Sequence, residues 1–284
     1  MAVALLVVGY GRAGGGSGAG IDFRSTFDDG SFAPWAHVER EFDRPLADSF
    51  RIVGSPTRSG SGAAMFIARQ GYSAFGYNED SELCCGPQPG ETEGGDYWYA
   101  WSTMFGEPWY GPYRWGIFAQ WHSKFGTPPP LDFNVGVTAI SMQLHTGAVT
   151  LGSAASWEYD RTFRLLNDVS PGRWHDFVVH VQWSAYPRGS VTVWHRLAGE
   201  PQFKRLLRVT KVPTLQRLGS KVSPVYTLLG IYRGSYCGEP TQLGCTSSRG
   251  VQPDLIVYQD EFRRSTVMFP WCLACRSPQP TKQP

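Results

Sequence analysis

Along most of the chain, apolar and polar residues alternate in short runs with a period of two, and no long stripe with the helical period of 3.6 is present. Runs rich in aromatic and β-branched residues, separated by Gly, Pro, Asn and Ser, predict strands at residues 97–105, 115–122, 131–137, 140–145, 174–183, 190–195, 226–232 and 255–262. Eight or more strands at this spacing predict an all-β fold, a β-jelly-roll sandwich, in one domain over residues 21–269. Because side chains alternate faces, Phe118, Gln120 and His122 are expected on one face of their strand and Ile117, Ala119 and Trp121 on the other. Residues 174–183 repeat the pattern, with Phe177, Val179, Val181 and Trp183 opposite Asp176, His180 and Gln182. A concave binding sheet would show such strands, and so would an ordinary half-exposed sheet.

Composition strengthens the β reading. The 284 residues include 33 Gly and 21 Pro, many turns, and 14% aromatic residues, many flat side chains suited to sheet surfaces. A formal charge of +2 gives no field strong enough to gather nucleic acid or anionic membrane, so neither is expected as a partner. Ala2 to Val8 followed by a Gly/Ala/Ser stretch to Gly20 looks like a secretory leader without its basic start, too short to span a bilayer. Residues 270–284 are expected to form a C-terminal tail, disordered from Ser277. Six cysteines, arranged as Cys84-Cys85, Cys237 with Cys245, and Cys272-x-x-Cys275, suit structural disulfides in an oxidising compartment better than a zinc site. A local Cys237–Cys245 bridge is the pairing that spacing suggests.

Several chemistries lack their motif. The Gly9, Gly11, Gly14 match lies in the leader with no strand before it, and Gly60-Ser61-Gly62 is a loop, not a nucleophile elbow. Asp22, Asp28 and Asp29 read as solvated turn residues, leaving a structural calcium as an open alternative; no organic cofactor is expected.

Two segments stand out: Trp115-Gly-Ile-Phe-Ala-Gln120-Trp121-His122, followed by Pro128-Pro129-Pro130 and a strand with Asp132 and Asn134, and Tyr226-Thr-Leu228-Leu-Gly230-Ile-Tyr232-Arg233. With these motifs the chain resembles the jelly-roll polysaccharide lyases, the group that includes heparin lyase I, alginate lyases and glucuronan lyases. The first resembles that family's Gln-x-His strand and the second its Lys-x-Gly-x-Tyr strand. Residues 97–102, 172–179 and 260–263 add to the likeness, which covers roughly residues 22 to 265. The resemblance implies β-elimination at a uronic acid, in which a base removes the C5 proton and an acid protonates the departing glycosidic oxygen. Gln120 would bind the carboxylate, His122 would be base or carboxylate neutraliser, and Tyr232 the acid and also the base in some members. Arg233, next to Tyr232, is expected on the opposite face.

The departures from the family remove positive charge. Leu228 stands where Lys is usual, and Asn78 or Asp80 where Arg is usual before Ser81-Glu82-Leu83. Substrate contacts are therefore expected from Asn134, His180, Trp101 and replacement arginines, Arg114 and Arg164 foremost, with Arg161 also a candidate. The expected partner is an acidic polysaccharide, met by a secreted monomer. A lectin-like jelly roll without chemistry is the alternative. A glycoside hydrolase comes third, because no strand reads as carrying alternating carboxylates.

Overall fold

The computed structural model describes residues 20–39, 49–70, 78–112, 114–151, 155–234, 251–272 and 275. Residues 1–19 of the expected leader, the Cys237–Cys245 pair and the tail from Ser277 lie outside the described residues.

Seventeen strands among the described residues form two sheets. The back sheet contains β1 (Ile21–Ser25), β3 (Phe50–Val53), β4 (Ala63–Ala68), β6 (Asp96–Phe105), β11 (Trp174–Gln182), β12 (Gly189–Leu197), β13 (Lys204–Val212) and β17 (Leu255–Ser265). Its order is β13-β12-β11-β6-β17-β4-β3, with β1 also paired to β17. The front sheet contains β2 (His37–Glu39), β5 (Glu79–Glu91), β7 (Gly116–Ser123), β8 (Leu131–Val135), β9 (Ile140–Thr150), β10 (Ser156–Leu166), β14 (Gln216–Leu218), β15 (Lys221–Val222) and β16 (Val225–Arg233). Its order is β15-β14-β9-β8-β7-β16-β5-β2, with β10 on β9. This all-β jelly-roll sandwich is what the alternating pattern predicts.

Aromatic side chains fill the space between the sheets. Phe177 stacks on Trp101 at 5.2 Å, and Trp101 meets Trp121 and Phe133 edge-on. Trp101 is therefore a core residue, 1% exposed, and not the sugar contact its sequence neighbourhood suggested. The polar side of β11 is a second correction: the strand belongs to the back sheet, so Asp176, His180 and Gln182 face away from the front sheet. Parity identified which residues share a face but carried no information about which sheet owns the strand.

After β17 the chain packs back against the sandwich. Cys272 and Cys275 are disulfide-bonded and buried with Phe269 and Phe203 against the back sheet. A second disulfide joins the adjacent Cys84 and Cys85 in β5. Asp28 accepts from the backbone N–H groups of Ser61 and Gly62, and Asp22 is bound by Arg264, so two of the carboxylates weighed for calcium have protein partners.

Candidate active site

The front sheet carries a cleft of about 890 Å³ on its outer face. Its floor follows from strand register. Tyr232 of β16 lies opposite Ile117 of β7 and Asp80 of β5, while Ile117 lies opposite Asn134 of β8. One row along, Leu228 faces Gln120, Gln120 faces Asp132, and Asp132 faces Gln143 of β9. At the far end His122 pairs with Tyr226.

A break in alternation builds this floor. The register of β7 shifts between Ile117 and Ala119, so Ile117 and Gln120 both line the cleft while Phe118 and Ala119 both point into the core. The expectation that Phe118 shares a face with Gln120 and His122 fails at this bulge. The Phe118 carbonyl accepts from the Gln259 amide of β17 at 2.9 Å, a bond that crosses from the back sheet.

The carboxamide of Gln120 is already engaged. Its Nε2 donates to both carboxylate oxygens of Glu82, at 2.8 and 3.0 Å, although β16 lies between their strands. Gly230 is the β16 residue opposite Glu82, and a Cβ there would come within 2.2 Å of the Ser81 carbonyl. Asn78 Nδ2 donates to the Tyr232 phenol oxygen at 3.2 Å, and Trp115 packs edge-on against the Tyr232 ring at 4.9 Å. A hydrogen bond donated to a phenol oxygen favours the phenolate. Arg233 turns inward to a buried ion pair with Glu79.

Three titratable groups complete the lining. Asp132, 1% exposed, has its pKa raised well above the usual carboxylate range by burial, and the amide hydrogen bond from Asn134 opposes this without cancelling it. Burial thus favours the protonated form, which presents an O–H donor. His122 Nδ1 lies 2.6 Å from the Ser123 carbonyl, which can only accept, so the neutral ring carries its lone pair on Nε2. Burial lowers the pKa of His145, with Asp160 opposing.

Of the residues singled out in the sequence, Gln120, His122, Asn134 and Tyr232 line the same cleft. They do not meet at one point. Five residues of β7 separate the partner of Tyr232 from His122, which at about 3.3 Å per residue places the two backbones roughly 15 Å apart. Arg164 is exposed on β10 and donates to Asn167, Arg161 is exposed on the same strand, and Arg114 is exposed outside the lining. His180 lies on the other sheet, bonded to Asp96 and stacked on Trp98. Among the described lining residues there is no Lys or Arg, whereas Asp80, Glu82 and Asp132 contribute three carboxyl groups. The sequence reading named these three without giving them a role; the spacing of Asp80 and Glu82 by two was the available signal. For a metal, the described residues bring together His37, Cys84 and Cys85, and both sulfurs are already in a disulfide.

The fold has known counterparts. The endo-β-1,4-glucuronan lyase of Trichoderma reesei superposes with a TM-score of 0.65 at 17% identity, over 87% of this chain and 96% of that one. The PL-14 alginate lyase of Aplysia kurodai gives 0.50 at 13% identity over 83% and 92%. A GH131 β-glucanase catalytic domain from Podospora anserina gives 0.51 at 12% identity over 87% and 93%. No curated protein matches the chain. The family model described as polysaccharide lyase matches residues 27–263, most of the described strands and every residue of the cleft floor, and the chain therefore belongs to the polysaccharide lyase family and is a lyase enzyme.

Proposed function

We propose that the enzyme cleaves a D-uronate polysaccharide by syn β-elimination centred on Tyr232. The carrying observation is the Asn78 amide donating to the Tyr232 phenol on the cleft floor, with the Asp132 carboxyl, whose neutral form burial favours, and the Asn134 amide on β8, across β7. The Tyr232 phenolate takes the C5 proton, the C5 electron pair forms the C4–C5 double bond as the C4–O bond breaks, and the proton on Tyr232 passes to the departing oxygen. Charge that develops on the sugar carboxylate is met by the Asp132 O–H and the second Asn134 N–H. Gln120 acts by holding Glu82 rather than the sugar.

Register and stereochemistry together narrow the substrate. In a D-glucuronate or D-mannuronate ring, H5 and O4 lie on the same face, so one residue can serve as base and acid. An L-guluronate or L-iduronate ring needs two groups on opposite faces, and His122 stands roughly 15 Å along the strand. His122 and Tyr226 accordingly contact a neighbouring sugar. A cleft whose described lining has no Lys or Arg also suits a plain polyuronate better than a heavily sulfated chain. Two disulfides fit a secreted, extracellular enzyme, which we infer works as a monomer.

A second reading has support in the same cleft: Asp80 and Glu82 alternate on β5 and line the cleft together with Asp132, and a pair of such carboxyl groups could hydrolyse a neutral glucan. Incubation with polyglucuronate, polymannuronate, polyguluronate, hyaluronan, heparan sulfate, heparin and a β-glucan discriminates. Ultraviolet absorbance of the unsaturated product is expected with polyglucuronate or polymannuronate, and Tyr232→Phe should reduce kcat at least about a thousandfold, the combined loss of base and acid. New reducing ends without absorbance would replace the elimination by hydrolysis.

A further inference from the structure

A second pocket, of about 220 Å³, opens on the back sheet, on the face of the sandwich opposite the cleft. Its floor is a row across three strands, Ser102 of β6, Asp176 of β11 and Arg196 of β12. Asp176 accepts four hydrogen bonds: Arg58 Nε and Nη2 at 2.7 and 2.8 Å, Ser102 Oγ at 2.8 Å and Arg196 Nε at 2.9 Å. Its oxygens are saturated. The loop carrying Arg58 is fixed from below, because Asp260 accepts the backbone N–H groups of Arg58 and Ser59. A positive φ at Glu261 turns β17 so that Glu261 and Arg263 pair on the pocket rim.

The charge count of the lining leaves a surplus. Three guanidinium groups, Arg58, Arg196 and Arg263, face two carboxylates, Asp176 and Glu261. Arg196 uses its Nε on Asp176, and its two terminal nitrogens have no acceptor among the described residues. Those nitrogens form the planar fork that matches a carboxylate. An apolar wall stands beside it: Arg196 lies over the Phe203 ring at 4.5 Å, and Trp271, 44% exposed, packs on Phe203 and stacks on Phe269. The volume lies below the roughly 300 Å³ at which drug-sized sites begin, which suits one sugar ring rather than a chain segment.

We propose that this pocket is a second carbohydrate site that binds a single uronate residue, its carboxylate on the Arg196 fork and its ring against Trp271. A polyuronate chain held there would tether the enzyme to its polymer while the cleft works elsewhere on it. The choice of a uronate rests on the proposed substrate, but the site itself does not need turnover. The test is titration of the full-length enzyme with sodium glucuronate, following the ¹⁵N-indole resonance of Trp271, assigned by its loss in Trp271→Ala. A saturable shift is expected, weakened about tenfold or more in Arg196→Gln, as loss of a charged hydrogen-bonding partner implies. Glucose should leave the resonance unmoved. No shift with glucuronate, or equal shifts with glucose or inorganic sulfate, would overturn the proposal. In parallel, Trp271→Ala should raise KM for the polymer and leave turnover of a trisaccharide unchanged; an unchanged KM would remove the tethering role. A failed absorbance assay with every polyuronate would strike the elimination mechanism alone, because the indole titration reads binding without chemistry.

Discussion

Asp132 lies on the cleft floor opposite Gln120, and burial accounts for how a carboxyl group can stand there. With Asn134 donating to one oxygen and no Lys or Arg among the described lining residues, burial outweighs the compensation and favours the neutral, protonated form. A neutral acid can lie beside a sugar carboxylate and donate to it, whereas an ionised one would repel it. The sign of the pH dependence follows: activity requires the protonated form, so it falls as pH rises through the elevated Asp132 pKa. Asp132→Asn keeps a hydrogen-bond donor that does not titrate, and kcat/KM should stay within about tenfold of the parent while this alkaline limb disappears. Asp132→Ala, which lacks the donor, should lose more. A pH–rate profile of Asp132→Asn with the same alkaline limb as the parent would remove Asp132 from the chemistry.

At the scale of elements, the cleft depends on β16 lying between β7 and β5 with a glycine at 230. Substituting Ala there drives a Cβ into the Ser81 carbonyl of β5, and overpacking of this kind costs about 1–3 kcal/mol. Gly230→Ala should lower the denaturation midpoint by that amount and weaken activity as well, because the displaced segment carries Glu82; a stable variant with full activity would show that the close approach is unimportant. The same strands show what the sequence could and could not reveal. The aromatic and β-branched runs marked eight strands because burial on a pleated surface selects those residues. β5 was hidden, since Cys84-Cys85, Gly86, Pro87, Pro89 and Gly90 read as turn residues although they lie within a strand of 13 residues. β10 and β13 were hidden because both are largely exposed and rich in Arg, Lys or Thr, so they carry little apolar pattern. The Gln-x-His and Gly-x-Tyr motifs pointed to the cleft, but the β7 bulge and the register with β16, which separate His122 from Tyr232, depend on contacts distant in sequence.

In the whole molecule, buried titratable groups of the back sheet respond to pH in opposite senses. His175 Nε2 donates to the Val169 carbonyl, so its Nδ1 accepts from His195 Nε2 at 3.0 Å, and burial lowers the His195 pKa to about 3. Between that value and 6.5 the unfolded chain binds a proton that the folded one does not, so this group's stability is present above 6.5 and is lost as pH falls, by about 2 kcal/mol at pH 5. Asp260, raised by burial to about 7, acts oppositely, its contribution being present below 3.8 and lost as pH rises through 7. His195→Gln, which retains a donor for His175, should flatten the acid side of a plot of melting temperature against pH; an unchanged slope would mean that His195 titrates normally.

Gln259 couples the back sheet to the cleft. Its Nε2 donates to the Phe118 carbonyl freed by the β7 bulge at 2.9 Å, and its Oε1 accepts from Thr103 Oγ1 at 2.7 Å. The carbonyl of Gly230 also lies 3.5 Å from the same nitrogen, so β7 and β16 are both held by one side chain from the opposite sheet. Gln259 is fully buried, and replacing it with Leu would leave the Phe118 carbonyl and the Thr103 hydroxyl without this partner, at about 1–3 kcal/mol for each unsatisfied group. The bulge, no longer held, would relax towards regular pairing, and regular alternation would turn either Ile117 or Gln120 away from the cleft. Gln259→Leu should therefore lose several-fold in kcat at temperatures where circular dichroism still shows a folded sandwich, in addition to its lowered melting temperature. If kcat below the melting transition were unchanged, the bulge would be fixed by β8 and β16 alone, and Gln259 would contribute to stability without positioning the site.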